Sequence, residues 1–361
     1  MKTDEAHIYE LIDCLRLPLI IGVVYCHTHF YKYLTIEALN QLPITGHVIY
    51  ICATLVGCIF TPVFFFISGY LFFRQRTLSP EIYVGKLRSR FHSLLIPYII
   101  WNGLMLGVMF LQEKFMGTTS ARMGALSEYG VKDVLYAFFD STQSWSFTGL
   151  IGQPANVPLW FLRDLIILVV AAPLFYALVK QKWMSLCVLF AIYCCPYHLP
   201  HLNNLSIFWF GMGCWFQIND IDFVALSHKV VKWSILIFCV AAMMHQVIVR
   251  ANIQLPVEMI VPIMRISEFP ILIAFTSWIM AHTTKRIPKR ISKSSFFIYM
   301  SHIVPTGTLC LLACRMLPLN DIVFSFAYML IPIVVTIILI CVYVLLTYCM
   351  PRTMKVLTGN R

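Results

Sequence analysis

The chain of 361 residues is 60% hydrophobic and only 12% charged, with a mean hydropathy of +0.79, values that exclude an ordinary soluble globular domain. Its formal net charge of +11 does not point to nucleic acid: Lys and Arg cluster between apolar runs, with no aromatic interleaving of the base-stacking kind. The expected class is an all-α, polytopic membrane protein forming a single integral-membrane domain over 1–361.

Judged at ~20 residues per crossing, apolar runs occur at roughly 17–34, 46–73, 93–111, 158–179, 183–200, 204–218, 231–249, 265–282, 294–316 and 322–350. That predicts a bundle of about ten transmembrane helices, with 204–218 the shortest. The first run follows an acidic, mixed segment (Asp4, Glu5, Glu10, Asp13) and lacks a small-residue cleavage site, so it reads as a retained span. With the N-terminus inside, cytoplasmic segments hold 19 of the 27 Lys and Arg, including five in 74–90 and five in 285–293. Excess Lys and Arg mark the cytoplasmic side, which puts both termini there. Prolines at 62, 97, 173, 270, 305 and 332 predict kinks. The 13 cysteines lie mostly inside apolar runs without metal-ligand spacing and read as small apolar fillers, so no metal site is expected.

Within the stretch Leu11 to Phe30, Arg16 and His27 are eleven positions apart. On a helix that is about three turns with only ~20° of offset and roughly 16 Å of axial distance. One is expected at the membrane surface and the other in the apolar centre. Ionisable groups persist there chiefly where they face a bundle interior or a wet cavity, which makes His27 a functional candidate; the plain alternative is a neutral imidazole bonded to a neighbouring helix.

Four further stretches carry polar chemistry. Ser68 and Gly69 form a small notch that admits either a ligand chain or another helix. Lys86, Arg88 and Arg90 suit phosphate groups, and equally anchor anionic head groups. Trp160 fits an interfacial belt, while Arg163 and Asp164, one turn into an apolar run, need partners, either an outward-facing substrate or a structural ion network. His302, deep in the ninth run, either lines the same cavity as His27 or bonds a neighbouring hydroxyl. Arg265 and Glu268 share a helix face and can neutralise each other; His29 and His245 lack supporting neighbours.

These stretches, in this order, resemble the acyltransferase family 3 of integral-membrane acyltransferases. The resemblance rests on an Arg and a His separated by ten residues (Arg16, His27), Phe64 to Leu71, the basic stretch ending at Pro97 and Tyr98, Leu159 to Leu162, and a late Tyr299 to His302. It implies a ten-helix bundle in a bacterial cytoplasmic membrane. That bundle takes an acyl group, commonly acetyl, from acyl-CoA on the cytoplasmic side to a hydroxyl of an envelope polysaccharide, glycolipid or lipid-linked sugar. It further implies His27 as the catalytic residue with Arg16 as its pair, and an Arg pair in the basic loop, where Arg90 fits the family's spacing better than Arg88. No cofactor is expected to be tightly bound; acetyl-CoA or another acyl-CoA enters as co-substrate.

The residues support that chemistry. Acyl transfer from a thioester to an alcohol needs a base for the hydroxyl proton, which a neutral His27 supplies at about 10²–10⁴-fold; a covalent acyl-His27 intermediate is the competing route. Arg16, Arg88 and Arg90, with Ser68 at the notch, are the candidate donor-side groups, and Trp160, Arg163, Asp164 and His302 the candidate cavity-lining or acceptor-side ones. The outer interval 112–157, with Tyr129, Trp145 and Phe147, is the candidate region for acceptor choice. The alternative function is a glycolipid or polysaccharide transporter or flippase without acyl transfer, for which internal repeats would be usual and none is visible.

Overall fold

The computed structural model describes residues 3–117, 124–140, 152–251, 259–283 and 287–360. Trp145 and Phe147 lie outside these residues. The described secondary structure is helical, apart from one isolated bridge between Leu199 and Leu202. Five helical runs are long and apolar enough to cross a membrane: Pro43–Phe72, Pro80–Phe115, Phe223–Arg250, Ile260–His282 and Asp321–Cys349. The number rises to seven when two bent pairs, Val157–Val170 with Ala172–Val179 and Lys289–Ser301 with Ile303–Met316, each count as one. The chain is an integral, multi-pass membrane protein.

Proline explains where the helices break. The bends are 65° in the first pair and 70° in the second, and they fall just before Pro173 and Pro305, whose rings conflict with the carbonyls four residues earlier. Pro97 follows a widened turn at Phe91–Leu95, and Pro62 follows a tightened one at Gly57–Ile59, local adjustments that absorb the same conflict. Pro270 and Pro332 sit inside uninterrupted helices.

Two compact units are present. One consists of Met1–Phe64 with Ile221–Leu345, the other of Phe65–Asp220 with Leu346–Arg361. The first unit opens on the helix Glu5–Cys26, capped by the Asp4 carboxylate. Leu11, Leu15 and Leu19, spaced at four, are buried along one face. This helix begins and ends earlier than the apolar run 17–34. Its end is set by Thr28, whose hydroxyl donates to the Val24 carbonyl at 2.9 Å, while the His27 amide returns to Val24 and the Thr28 amide to Tyr25. His27 is therefore the C-cap residue and not a mid-helix one.

Two carboxylates fasten distant segments of this unit. Asp321 accepts from the amides of Ile44 and Thr45, both at 2.7 Å, and from the Thr45 hydroxyl at 2.8 Å, capping the helix that starts at Pro43. Asp222, the cap of Phe223–Arg250, accepts from Thr3 at 2.6 Å and from Val224 and Ala225 at 2.9 Å. Partial burial pushes the Asp222 carboxyl upward, but the bonds from Thr3, Ala225 and Val224 outweigh it and hold the group below its ordinary 3.8. Such a group contributes stability that is complete above pH 3.8 and is lost as the pH falls through the lowered value. Hydrogen exchange at Thr3 and Val224, corrected for intrinsic rate, should be flat above that pH and quicken below it.

In the second unit, the part of the helix Phe60–Phe72 from Phe65 onward and the helix Asn204–Ile218 meet backbone to backbone. A Cβ at Gly69 would fall on the Phe210 carbonyl, and one at Gly213 on the Phe66 carbonyl and 2.7 Å from the Tyr70 nitrogen. Small residues permit this approach, the usual way membrane helices associate without a hydrophobic drive. The basic stretch 80–90 is not a loop: Pro80–Arg90 is helical, with Ser79 accepting from the Ile82 amide and Pro80 at its first position.

Candidate active site

His27 lies at the end of the first helix, half-buried, with its ring centroid 5.2 Å from that of His302 and 6.3 Å from that of His29. His302 stands at the 70° break that Pro305 imposes between Ser301 and Ile303. It is fully buried, and its Nδ1 lies 2.9 Å from the Tyr299 carbonyl and 3.1 Å from the Ile298 carbonyl. Carbonyls only accept, so Nδ1 carries the proton and Nε2 presents a lone pair. That Nε2 is buried and has no hydrogen-bond partner among the described residues. His302 thus lies beside His27, with its Nδ1 on backbone carbonyls and not on a neighbouring hydroxyl.

Arg16 forms its ion pair with Asp13 at 2.8 Å, both side chains being about half exposed. The pair is one turn apart on the helix surface, and Arg16 stays roughly 16 Å from His27 along the axis. His29 stacks near Tyr31 with centroids 4.9 Å apart. His245 is bonded to the Tyr50 hydroxyl. Glu268 accepts from the Cys58 thiol at 3.1 Å, and Arg265 donates to the Cys58 carbonyl at 3.1 Å. Cys58 thus connects two residues whose common helix face had suggested direct neutralisation.

The second unit holds the other candidates. Lys86 donates to the Phe72 carbonyl and lies 4.8 Å from the centre of the Phe72 ring. Arg90 is half-buried and Arg88 exposed. Two apart on a helix, they point to opposite sides, whereas Lys86 and Arg90, four apart, share a face. Gly69's notch is filled by the backbone at Phe210, beside a half-buried Ser68. Trp160 packs on Phe65 at 6.0 Å.

Arg163 and Asp164 are almost fully buried and bonded on every side. Asp164 takes Arg163 at 2.9 and 3.2 Å, the Ser206 hydroxyl at 2.7 Å and the Asn203 amide at 3.1 Å. Arg163 also donates to the carbonyls of Gly152 at 2.6 Å and Phe139 at 3.0 Å. Next to this network, His201 lies 3.3 Å from the buried carboxylate of Asp140 and adopts a left-handed φ of 62°. Burial, then Arg163, push the His201 imidazole below its ordinary 6.5, against the pull of Asp140. Asp140, His201, Asn203 and Ser206 carried no sequence signal, because each meets its partner across tens of residues of chain.

Residues 9–350 match the Acyltransferase domain family. The chain belongs to the acyltransferase 3 family. The match to the family spans nearly all of the chain. Among curated proteins it is 27% identical over 228 residues to the succinoglycan biosynthesis protein ExoH of Rhizobium meliloti (strain 1021). That alignment covers 62% of this chain and 58% of ExoH. No solved structure matches it.

Proposed function

We propose that this acyltransferase carries an acyl group, acetyl in the simplest case, from a cytoplasmic acyl-CoA to a hydroxyl of an envelope polysaccharide, glycolipid or lipid-linked sugar. It does so as one domain of ten spans in the bacterial cytoplasmic membrane, with both termini inside. The observation that carries the proposal is the half-buried His27 imidazole at a helix end, set against a second, fully buried imidazole. The name of ExoH, a succinoglycan biosynthesis protein, supports a polysaccharide as the acceptor class.

In the proposed step, the acceptor hydroxyl gives its proton to a ring nitrogen of His27 as its oxygen attacks the thioester carbonyl. The tetrahedral adduct collapses with loss of the carbon–sulfur bond, and the thiolate of CoA takes the proton from His27. Ester and free CoA leave, and the imidazole is neutral again. Anionic CoA needs cations at the inner surface, a role we assign to Arg90 on the face it shares with Lys86, with Arg88, Arg16 and Ser68 as further donor-side groups. Trp160, Arg163 and Asp164 serve the acceptor side by holding its loops in shape.

The test compares membranes carrying the wild type or His27→Ala at matched protein levels, supplied with radiolabelled acetyl-CoA. Label should enter the glycan fraction with the wild type and fall at least about 10²-fold with the substitution. Equal incorporation by both would remove His27 from the chemistry. Absence of label from both would remove acetyl-CoA as donor and bring transport forward.

A further inference from the structure

His302 Nε2 poses a question that the proposed step leaves unanswered. An unsatisfied buried acceptor is unfavourable, and this one is oriented by its own backbone bonds at Nδ1 and lies next to the imidazole assigned as base. A separation of 5.2 Å between ring centroids is that at which two facing ring nitrogens come within hydrogen-bond reach, ~3 Å. The rings are inclined at 52° and not stacked, an attitude in which the edge of one imidazole can be turned toward the edge of the other.

We propose that His302 is the orienting partner of His27: its Nε2 accepts the N–H of His27, selects one tautomer of that ring, and stabilises the imidazolium formed when the other nitrogen takes the hydroxyl proton. The arrangement follows the general logic of a reacting base held by a third group, with a neutral imidazole where a carboxylate often stands. A neutral partner suits an apolar surrounding, where a second charge would be expensive to bury. Pro305 has a part in this, because the helix break it causes is what leaves His302 at a corner. His302 is a positioning residue, acting through His27. The other titratable or charged groups that act on His27 are His29 and Lys32 on its own segment, and Tyr299 lies 6.5 Å from His302.

The inference rests on His27 as the reacting base, and two measurements separate its failure from the failure of that reading. The first is acetyl transfer from labelled acetyl-CoA by His302→Leu and His302→Gln at matched protein levels. Leu removes the acceptor and should lower transfer about 10²-fold, while Gln, whose amide oxygen reaches the Nε2 position, should stay within about tenfold of wild type. Without the bond, the imidazolium of His27 is less stable, so the acid limb of the pH profile in His302→Leu should move down by about one unit. Loss of rate in both variants with an unmoved acid limb would make His302 a packing residue and overturn the proposal, as would wild-type behaviour of His302→Leu.

The second measurement needs no donor. In bilayers with ¹⁵N-labelled histidine, the His27 signals are identified by their disappearance in His27→Ala. They should show one tautomer in the wild type and in His302→Gln, and a mixture in His302→Leu. An unchanged His27 tautomer in His302→Leu would refute the dyad whether or not acetyl-CoA is the donor. Equal transfer by wild type and His27→Ala would refute the catalytic reading while this spectrum still decided the pairing.

Discussion

Asp164→Ala should destabilise the second unit by about 3–5 kcal/mol, the range for removing one member of a buried ion pair. The substitution leaves the guanidinium of Arg163 in a site where its side chain is 2% exposed, and it also deprives the Ser206 hydroxyl and the Asn203 amide of their acceptor. Three parts of the chain lose their common anchor at once: the helix Trp160–Val170, the start of Asn204–Ile218, and the carbonyls at Phe139 and Gly152. Thermal unfolding in lipid nanodiscs would show a lowered midpoint for Asp164→Ala. The double variant Arg163→Met with Asp164→Leu should recover part of the loss, since replacing both charges with apolar groups removes the uncompensated one. If the single variant melts like wild type, the network is not what holds these segments.

Gly213→Ala should be at least as damaging, for a steric reason. The new methyl group lands on the Phe66 carbonyl and near the Tyr70 nitrogen, and a backbone on the far side of a helix contact cannot swing away as a long side chain does. The two helices must separate, and dispersion contacts along the whole crossing are lost with them. Gly69→Ala meets the Phe210 carbonyl from the opposite direction and should behave alike. Gly107 is the control: it lies in the helix Ile96–Met116, where an added methyl would meet nothing within 4 Å, so alanine there should be neutral or favourable by up to about 1 kcal/mol through helix propensity. Yield of monodisperse protein after extraction would rank the three variants; equal yields would mean that the close approach is not required.

Much of the helix plan was legible in the residues, since apolar length decides what lies in lipid. The run 204–218, the shortest of the ten, is the helix Asn204–Ile218, whose 15 residues leave it outside the five to seven described runs long enough to cross a membrane. The boundaries that differed were those set by polar groups and by proline. Thr28 ends the first helix by donating to a carbonyl, and Pro305 divides an unbroken apolar run at His302. The basic stretch 80–90 has charge but also a Ser-Pro start, and the start decided its conformation. Among candidate site residues, the need of Arg163 and Asp164 for partners was evident from their depth, but not the identity of those partners, because hydrogen bonds between distant segments leave no periodicity. The attachment of Glu268 to Cys58 belongs to the same class, whereas a place for His302 near His27 was already one of the two readings that its depth in an apolar run allowed.

The first unit is assembled from two pieces of chain, Met1–Phe64 and Ile221–Leu345, with the other unit inserted between them in sequence. During synthesis at ~5–20 residues per second, the early piece leaves the ribosome roughly ten to thirty seconds before its complement begins to follow. For that interval Thr45 has no Asp321 to cap its helix, and His27 faces no His302. The interrupted order of the gene product thus makes the approach of His302 to His27 one of the last contacts to form, so a chain halted in mid-synthesis carries the first imidazole without the second.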